Sequence, residues 1–230
     1  MRSVVIAIDG TAACGKGTIA RMLAKHYGFA HLDSGALYRL VAMDVLDQGG
    51  DPSDTEAAVR SARAIDPSRV NDPRLRSAAV GEASSRVAPI PGVRAAIFEF
   101  QRAFATHPPE AKPGAVIDGR DIGTVIAPDA AAKLFVDARP QVRAERRYKE
   151  LKAEYGKAQN PLPLPDIRTV MNDLMARDER DRSRAVAPLR QAADAVLLDT
   201  SDLDIDAAFA AAFALVDPKV KAALAARPRG

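Results

Sequence analysis

The segment from Ser3 to Gly28 constrains the fold more than any other part of this sequence. Ser3–Ile8 is a short β-branched run without polar alternation, which is typical of a strand buried on both faces of a parallel sheet. A loop over Gly10–Thr18 follows, and the apolar spacing after it predicts a helix over Ile19–Tyr27 that ends at Gly28. A buried strand, a glycine-bearing loop and a helix in this order predict a phosphate-binding unit of an α/β fold.

The loop reads Gly-Thr-Ala-Ala-Cys-Gly-Lys-Gly-Thr, and its residue types suit a phosphate chain. Its backbone N–H groups and the start of the next helix are expected to point inward at phosphate oxygens. Lys16 would add a positive charge at the β- and γ-phosphates of ATP, and the Thr18 hydroxyl would ligate Mg²⁺. A hydroxyl two positions after the lysine is typical of nucleoside monophosphate kinases. We predict that the cofactor-binding residues are Gly10, Thr11, Ala12, Ala13, Cys14, Gly15, Lys16, Gly17 and Thr18.

The composition favours one folded unit outside the membrane. Of the 230 residues, 47% are hydrophobic and 27% are charged, and the net charge of +3 excludes disorder for the bulk of the chain. The longest uncharged apolar run, Ala207–Val216, has ten residues, whereas a membrane-spanning helix needs about 20. The N-terminal residues show no export signal, and one cysteine cannot form an internal disulfide. We therefore expect a cytoplasmic protein with no membrane partner.

Strands alternate with helices along the chain, which predicts a doubly wound parallel sheet. Further strands are predicted over Phe29–Leu32, Ala115–Ile117, Lys133–Val136 and Ala195–Leu198. Helices are predicted over about 140–155, 166–181 and 205–216. Residues 51–114 contain eight prolines and little strand signal, which predicts an inserted, mostly helical segment. Pro161–Pro165 is expected to be a stiff connector, and residues 217–230 a frayed tail.

Polar residues that suit a second anion follow two of the predicted strands. Ser34 and Arg39 come after the second strand, and Arg120 with Asp121 follows the third, so both pairs reach the carboxyl edge of the sheet. A further cluster lies on one helical face because its members are three, four and seven positions apart: Arg177, Arg180, Asp181 and Arg184.

The alternative to an anion site is a solvated ladder of surface charges. In that reading, Asp178 and Arg182 pair with each other four positions apart on an exposed helix face. Such surface pairs are weak and common, and most single arginines lie on protein surfaces. The sequence contains 24 arginines and nine lysines, so a part of this excess is expected to be ordinary solvated surface.

Taken together, these motifs resemble the bacterial cytidylate kinases. The resemblance rests on the loop, on Leu-Asp-Ser-Gly-Ala-Leu-Tyr-Arg, on Asp-Gly-Arg-Asp-Ile-Gly-Thr and on Arg-Asp-Glu-Arg-Asp-Arg-Ser-Arg-Ala-Val-Ala-Pro, in that order over about residues 3–216. It implies an α/β fold, a P-loop kinase core with a five-stranded parallel sheet flanked by helices. Residues 1–38 and 112–216 would form the core with a short lid at about 148–178. Residues 39–111 would form a helical insertion that binds the acceptor nucleotide, and 217–230 the C-terminal tail.

The resemblance also implies the reaction, which is phosphoryl transfer from ATP with Mg²⁺ to CMP or dCMP by a monomer with no nucleic-acid partner. The implied catalytic residues are Lys16, Arg120, Arg177 and Arg184. The acceptor phosphate would be held by Ser34, Arg39, Arg120 and Arg184. Cytosine would face Ser85, Arg94 and Asp121, and the ribose and phosphates would contact Asp181 and Arg177. Arg143, Arg146 and Arg147 on the helix that enters the lid are further candidates for phosphate contacts.

Two loop residues depart from the family pattern, because Thr11 and Cys14 stand where proline and serine are expected. Cys14 lies in an electropositive loop at a helix start, so it is either a thiol open to alkylation or a small residue that fills the serine position. His26, His31 and His107 belong to no cluster, which fits a reaction that needs no general base.

Three other functions stay open on the residues alone. A nucleotide-dependent RNA-binding protein would suit the calculated pI of 9.1, but only 5% of the residues are aromatic and none interleaves with an arginine run. A GTPase switch lacks a guanine-specifying Asn-Lys-x-Asp motif here. Another small-molecule kinase is the nearest alternative among enzymes.

Overall fold

The computed structural model describes residues 3–155 and 164–227. Five strands form one parallel sheet, as predicted, and their order is β2-β3-β1-β4-β5. The strands are β1 (Val4–Gly10), β2 (Ala30–Asp33), β3 (Gly114–Gly119), β4 (Ala132–Asp137) and β5 (Val196–Asp199). The predicted strands are confirmed, with ends that differ by at most two residues. Because all five run the same way, their carboxyl ends meet at one edge of the sheet.

In the described ranges, eight α-helices cover the two faces of the sheet and the segment between β2 and β3. They are α1 (Lys16–Tyr27), α2 (Ser34–Asp47), α3 (Thr55–Arg63), α4 (Ala78–Val87), α5 (Pro91–Thr106), α6 (Pro140–Tyr155), α7 (Ile167–Ser183) and α8 (Ile205–Ala225). Residues 48–113, all of which the structure describes, form helices and 3₁₀ turns and contain no strand. The predicted helical segment is therefore confirmed. The predicted connector Pro161–Pro165 lies mainly on residues 156–163, outside the described residues.

The central strand β1 separates two apolar cores, because its side chains alternate between the faces of the sheet. Val5 and Ala7 pack in the core under α2 and α5. Ile6 and Ile8 pack in the core under α1 and α8. Every residue of β1 is buried, as expected for a strand that is covered on both faces. The carboxyl edge of the sheet is therefore held by a strand that is packed on both faces.

The expected tail is wrong over residues 217–225, which continue α8 as far as Ala225. The helix continues through Pro218, although proline removes a backbone donor. The tail is held because Val216 and Val220 lie four positions apart and are both buried in the core under α1 and α8. The hydroxyl of Tyr27 also donates to Asp217 at 3.1 Å. Even with this extension, no helix in the described part of the chain is long and apolar enough to cross a membrane.

A buried carboxylate connects β1 to the turn after β3. The two oxygens of Asp9 accept the backbone N–H groups of Ile122 at 2.8 Å and Gly123 at 2.7 Å. These residues begin the short π-helical turn Ile122–Ile126, directly after Asp121. Burial raises the pKa of Asp9 to about 7, even though the two N–H groups favour its ionised form. Asp9 therefore holds the turn that presents Asp121, although the sequence analysis did not select it.

We expect the Val220→Ala variant to lower the free energy of unfolding by about 1–3 kcal/mol, because the lost methyl groups are fully buried. Denaturant unfolding followed by circular dichroism measures this change. Lys219→Ala, one residue away on the exposed side of α8, is the control and should have little effect. Equal stability of Val220→Ala and the wild type would show that residues after Val216 do not belong to the core.

We also expect the wild type to lose stability relative to an Asp9→Asn variant as the pH rises from about 4 to about 7. The folded-state pKa is raised, so in this range the folded chain binds a proton that the unfolded chain has released. Unfolding free energies measured in steps between pH 4.5 and 7.5 test this sign. The exposed Asp129→Asn variant controls for the removal of one carboxylate. A constant difference between wild type and Asp9→Asn would contradict the raised pKa.

Candidate functional site

One cleft of about 450 Å³ opens at the carboxyl edge of β1, β2 and β3. Its walls come from the loop after β1, from the starts of α2 and α5, from the turn after β3 and from α7. All ten residues that the sequence analysis assigned to catalysis or to the acceptor nucleotide line this cleft: Lys16, Ser34, Arg39, Ser85, Arg94, Arg120, Asp121, Arg177, Asp181 and Arg184. Residues from six separate parts of the chain, including Ser85 of α4, therefore meet in one cavity.

The loop approaches β4 so closely that its first position tolerates only glycine. A Cβ atom on Gly10 would lie 2.0 Å from the carbonyl oxygen of Val136. Gly15 adopts a φ of 91° and precedes α1 without a side-chain cap, so the first turn of α1 has no protein anion at its N-terminus. Residues Ala12, Ala13, Gly15, Lys16, Gly17 and Thr18 line the cleft.

Lys16 is held over the loop, with its ammonium donating to the carbonyl oxygen of Thr11 at 3.1 Å. Desolvation and then the charge of Arg120 lower the pKa of Lys16. An anion bound beside Lys16 would favour the protonated form and oppose both effects. The ammonium is thus placed where a bound phosphate would compensate it.

Carboxylates anchor the inner side of the loop, and the expectation that its backbone N–H groups all point at the phosphates is wrong at Ala12. The N–H of Ala12 does not face the cleft, because it donates to Asp178 at 3.1 Å. Thr11 is fully buried and donates its hydroxyl to Asp137 at 2.6 Å. Cys14 is fully buried as well, so an accessible thiol is not present and the residue fills a core position. Gly10, Thr11 and Cys14 therefore shape the loop from behind rather than line the cleft.

The surface ladder expected as an alternative for α7 is also wrong. Asp178 is buried and forms an ion pair with Arg143 of α6, not with Arg182. Arg143 in turn donates to the carbonyl oxygen of Ala12 at 3.1 Å, so it is a structural residue and not a phosphate ligand. Arg146 bonds mainly to Thr200, with its Nη2 atom 2.7 Å from the backbone oxygen. Of these three helix α6 arginines, only Arg147 lines the cleft.

The start of α2 presents a hydroxyl and a guanidinium to the cleft. The carboxylate of Asp33 caps the helix by accepting the N–H of Ala36 at 3.1 Å, which leaves Ser34 in the first turn. Arg39 lies 2.5 Å from the other oxygen of Asp33. Burial would raise the pKa of Asp33, but Arg39 and Lys16 outweigh it and lower the pKa overall. Asp33 therefore stays ionised and orients Arg39.

A buried ion pair forms the far wall of the cleft. The guanidinium of Arg94 lies 2.5 Å from the carboxylate of Asp121, and both side chains are buried. Burial raises the pKa of Asp121 against the effect of Arg94 and Arg184. The ring of Tyr38 lies 5.7 Å from the Arg94 guanidinium, within cation–π range. Ser84 and Ser85 both line this wall, so the choice of Ser85 stays a prediction.

Three arginines converge on one carboxylate between the two ends of the cleft. Arg120 lies 2.7 Å from Asp181, and Arg184 forms an ion pair with the other oxygen of Asp181. Arg184 follows the last turn of α7 as its C-cap and still lines the cleft with Arg177 and Asp181, whereas Arg180 of the predicted face is exposed outside it. Desolvation and the charge of Arg120 lower the pKa of Arg177 to about 10. One carboxylate does not balance three guanidinium groups, so a bound anion would find a net positive charge here.

The sequence analysis missed several residues of the cleft. Asp33 is the last residue of β2 and Asp118 the next to last of β3, so their positions close to Ser34 and Arg120 were a usable signal. Tyr38 precedes Arg39 on α2, but its helical spacing resembles that of a core residue. Arg21, Arg76 and Glu150 carry no local pattern that distinguishes them from surface residues. They reach the cleft only through the packing of their elements.

Comparison with known proteins identifies the family. The cytidylate kinase family model matches residues 6–217. A cytidylate kinase of Rhodopseudomonas palustris (strain TIE-1) is 54% identical over 214 residues, which are 93% of this chain and 96% of that protein. A cytidylate kinase of Caulobacter sp. (strain K31) is 53% identical over 213 residues, 93% of this chain and 94% of that protein.

A similarity among solved structures concerns the fold alone. An uncharacterized protein from Eubacterium ventriosum superposes with a TM-score of 0.50 at 15% identity, over 94% of this chain and 99% of that one. The sequence similarity is far closer and extends over the sheet and all the motifs that line the cleft. By these matches, the chain belongs to the cytidylate kinase family.

Proposed function

We propose that this ATP-dependent nucleoside monophosphate kinase transfers the γ-phosphoryl group of ATP to CMP or dCMP in the cleft described above. The observation that carries the proposal is the layout of that cleft. The Lys16 loop lies at one end, the Arg94–Asp121 pair at the other, and Arg120, with its neighbouring arginines, between them. A nucleotide whose phosphate faces the loop and whose base reaches the buried pair would join the two ends.

The reaction needs no general base. The acceptor is a phosphate monoester with a second pKa of about 6, so at neutral pH its attacking oxygen is largely deprotonated. The chain's contribution is to bring two polyanions together in line and to compensate the charge of the transferring group. Lys16, Arg120, Arg177 and Arg184 are the residues that we assign to this task.

The lowered pKa values of the cationic groups support this assignment. Arg177 and Arg184 have lowered pKa values, each first because of desolvation and then because of nearby charges. Bound phosphates would replace lost hydration and reduce the repulsion among the guanidinium groups. The buried Nε atom of Arg184 has no hydrogen-bond partner in the described part of the chain, so a donor is available there.

The donor set near the loop fits Mg²⁺, which prefers oxygen ligands and keeps several waters and phosphate oxygens. The Thr18 hydroxyl and the carboxylates of Asp33 and Asp118 line the same part of the cleft. Among the described residues, no group of three or more His, Cys, Asp or Glu side chains could hold a metal alone. Thr18 would hold the ion together with the nucleotide, and the bound Mg²⁺ would supply charge compensation at the phosphates.

Discrimination between pyrimidine bases would come from the Arg94–Asp121 pair. Cytosine carries an N4 amino donor beside the N3 and O2 acceptors, whereas uracil carries an O4 acceptor and an N3–H donor. The Asp121 carboxylate can accept from N4, and Arg94 can donate to N3 or O2. Uracil would present the O4 lone pairs to Asp121 and, where Arg94 reads N3, a hydrogen to Arg94, and buried sites penalise such mismatches strongly. Ser85 would assist in reading the base.

The remaining assignments concern the organisation of the molecule. We propose that residues 39–111 bind the acceptor nucleotide and that a lid at about 148–178 closes over the phosphates to exclude water. Residues 156–163 of this lid lie outside the described residues. One chain supplies every proposed contact, which supports a monomer whose partners are small molecules. Ser34 and Arg39 would hold the acceptor phosphate, and Asp181 the ribose.

The Lys16→Ala variant should lose at least a hundredfold in kcat, because it removes a charge that stabilises the transition state by several kcal/mol. A coupled assay for ADP with saturating ATP and CMP measures this loss. Lys25→Ala removes the same residue type from an exposed position of the same helix and should leave kcat unchanged. Turnover of Lys16→Ala at the wild-type rate would exclude the loop from the reaction.

We expect the wild type to prefer CMP and dCMP to UMP in kcat/KM, and an Asp121→Asn variant to reduce that preference about tenfold or more. Asparagine keeps the shape of the side chain, and its amide can donate to O4 of uracil. The CMP/UMP ratio of kcat/KM and the KM for ATP are the measurements. An equal loss of activity on CMP and UMP would make Asp121 a structural partner of Arg94 instead.

A further inference from the structure

A buried glutamine stands behind the hydroxyl that we assign to the acceptor phosphate. Gln101 of α5 is 1% exposed, and its amide nitrogen donates to the Ser34 hydroxyl oxygen at 2.6 Å. Its amide oxygen is buried without a hydrogen-bond partner among the described residues. A polar side chain buried in this way is unfavourable unless its hydrogen bonds compensate, so the contact with Ser34 requires an explanation.

The direction of the hydrogen bond decides what Ser34 can do. A serine hydroxyl has one proton to donate and two lone pairs that accept. Because Gln101 donates to the oxygen of Ser34, the Ser34 proton stays available for another acceptor. An ionised phosphate can only accept, so the order Gln101 to Ser34 to phosphate satisfies both contacts. The reverse direction would direct the Ser34 proton to Gln101 and leave the phosphate without this donor.

The position of Gln101 on α5 connects it to the other end of the cleft. Gln101 follows Arg94 by seven residues, so both lie on one face of the helix, about 10 Å apart at 1.5 Å per residue. Ile97 lies between them on the same face and is fully buried. Arg94 lines the cleft at the ion pair with Asp121, whereas Gln101 itself does not line the cleft. Helix α5 therefore supports both the Arg94–Asp121 pair and Ser34.

We propose that Gln101 is a positioning residue for the acceptor nucleotide, which fixes the Ser34 hydroxyl as a hydrogen-bond donor to its phosphate. The proposal deepens the proposed function and rests on its assignment of Ser34. Gln101 does not line the cleft, so it would act only through the Ser34 hydroxyl. Helix α5 then sets the distance between Arg94, which reads the base, and Gln101, which orients the Ser34 hydroxyl.

Two substitutions of similar shape test the direction of the bond. In Gln101→Glu, an ionised carboxylate would accept the Ser34 proton and place a negative charge near the phosphate, so KM for CMP should rise at least tenfold. In Gln101→Met, the hydroxyl is left without its fixed donor, and KM for CMP should rise three- to tenfold. KM for ATP should stay within twofold of the wild type in both, because the Lys16 loop is untouched.

The pH dependence distinguishes positioning from mere packing. When the carboxylate introduced by Gln101→Glu is protonated, it carries an O–H that can donate to Ser34 again. Relative to wild type at the same pH, the KM effect of Gln101→Glu should therefore shrink as the pH falls. The effect of Gln101→Met should not change in this way. An effect of Gln101→Glu that is constant with pH would overturn the proposal.

Ser34→Ala and the double variants separate this proposal from the proposed function. If Ser34→Ala leaves KM for CMP unchanged, the assignment of Ser34 fails first, and the Gln101 proposal fails with it. If Ser34→Ala raises KM but Gln101→Met leaves it unchanged, only the Gln101 proposal is overturned. The expected result is that adding Gln101→Met to Ser34→Ala gives no further rise. Thermal unfolding checks that each variant is folded. If Gln101→Glu does not fold, the KM values of Gln101→Met and of its double variant with Ser34→Ala still test the proposal.

Discussion

Buried pairs of arginine and aspartate hold the cleft in shape, and most other features of the site depend on them. Arg94 with Asp121 and Arg120 with Asp181 lie across the cavity with little exposure to water. Removing charges from water is costly, so each arginine persists only because a carboxylate faces it. Desolvation, and then the charge of Arg120, lower the pKa of Arg177 although Asp181 opposes both effects. A site arranged in this way is stable when empty and still attracts a phosphate.

A second set of charges ties the loop over Gly10–Thr18 to helices α6 and α7. Asp178 of α7 accepts the N–H of Ala12, and Arg143 of α6 donates to the carbonyl oxygen of the same residue. The two side chains also pair with each other. Both hydrogen-bonding groups of one loop residue are therefore bound by a buried ion pair. Movement of α6 or α7 against the core would have to break these bonds or carry the loop along.

Short motifs made much of the site predictable. The glycines around Lys16, the residues after β2 and β3 and the spacing on α7 are local patterns, and all the candidate residues that they indicated for catalysis and for the acceptor nucleotide lie in one cleft. The pairings of the charges were not predictable in the same way. The surface-charge alternative paired Asp178 with Arg182, four residues away, but Asp178 pairs with Arg143, which is 35 residues away. Only the packing of α6 against α7 brings that pair together.

The sequence by itself determined the order of strands and helices, the phosphate loop and the residue types at the edge of the sheet, because these depend on periodicity and on neighbours within a few positions. The tertiary structure decided which polar residues are buried and which groups they face. Gln101 and Asp9 show this most clearly, since a glutamine on an amphipathic helix and an aspartate at a strand end carry no distinctive pattern. Their roles follow from contacts with residues 67 and 113 positions away, and such contacts exist only once the chain is folded.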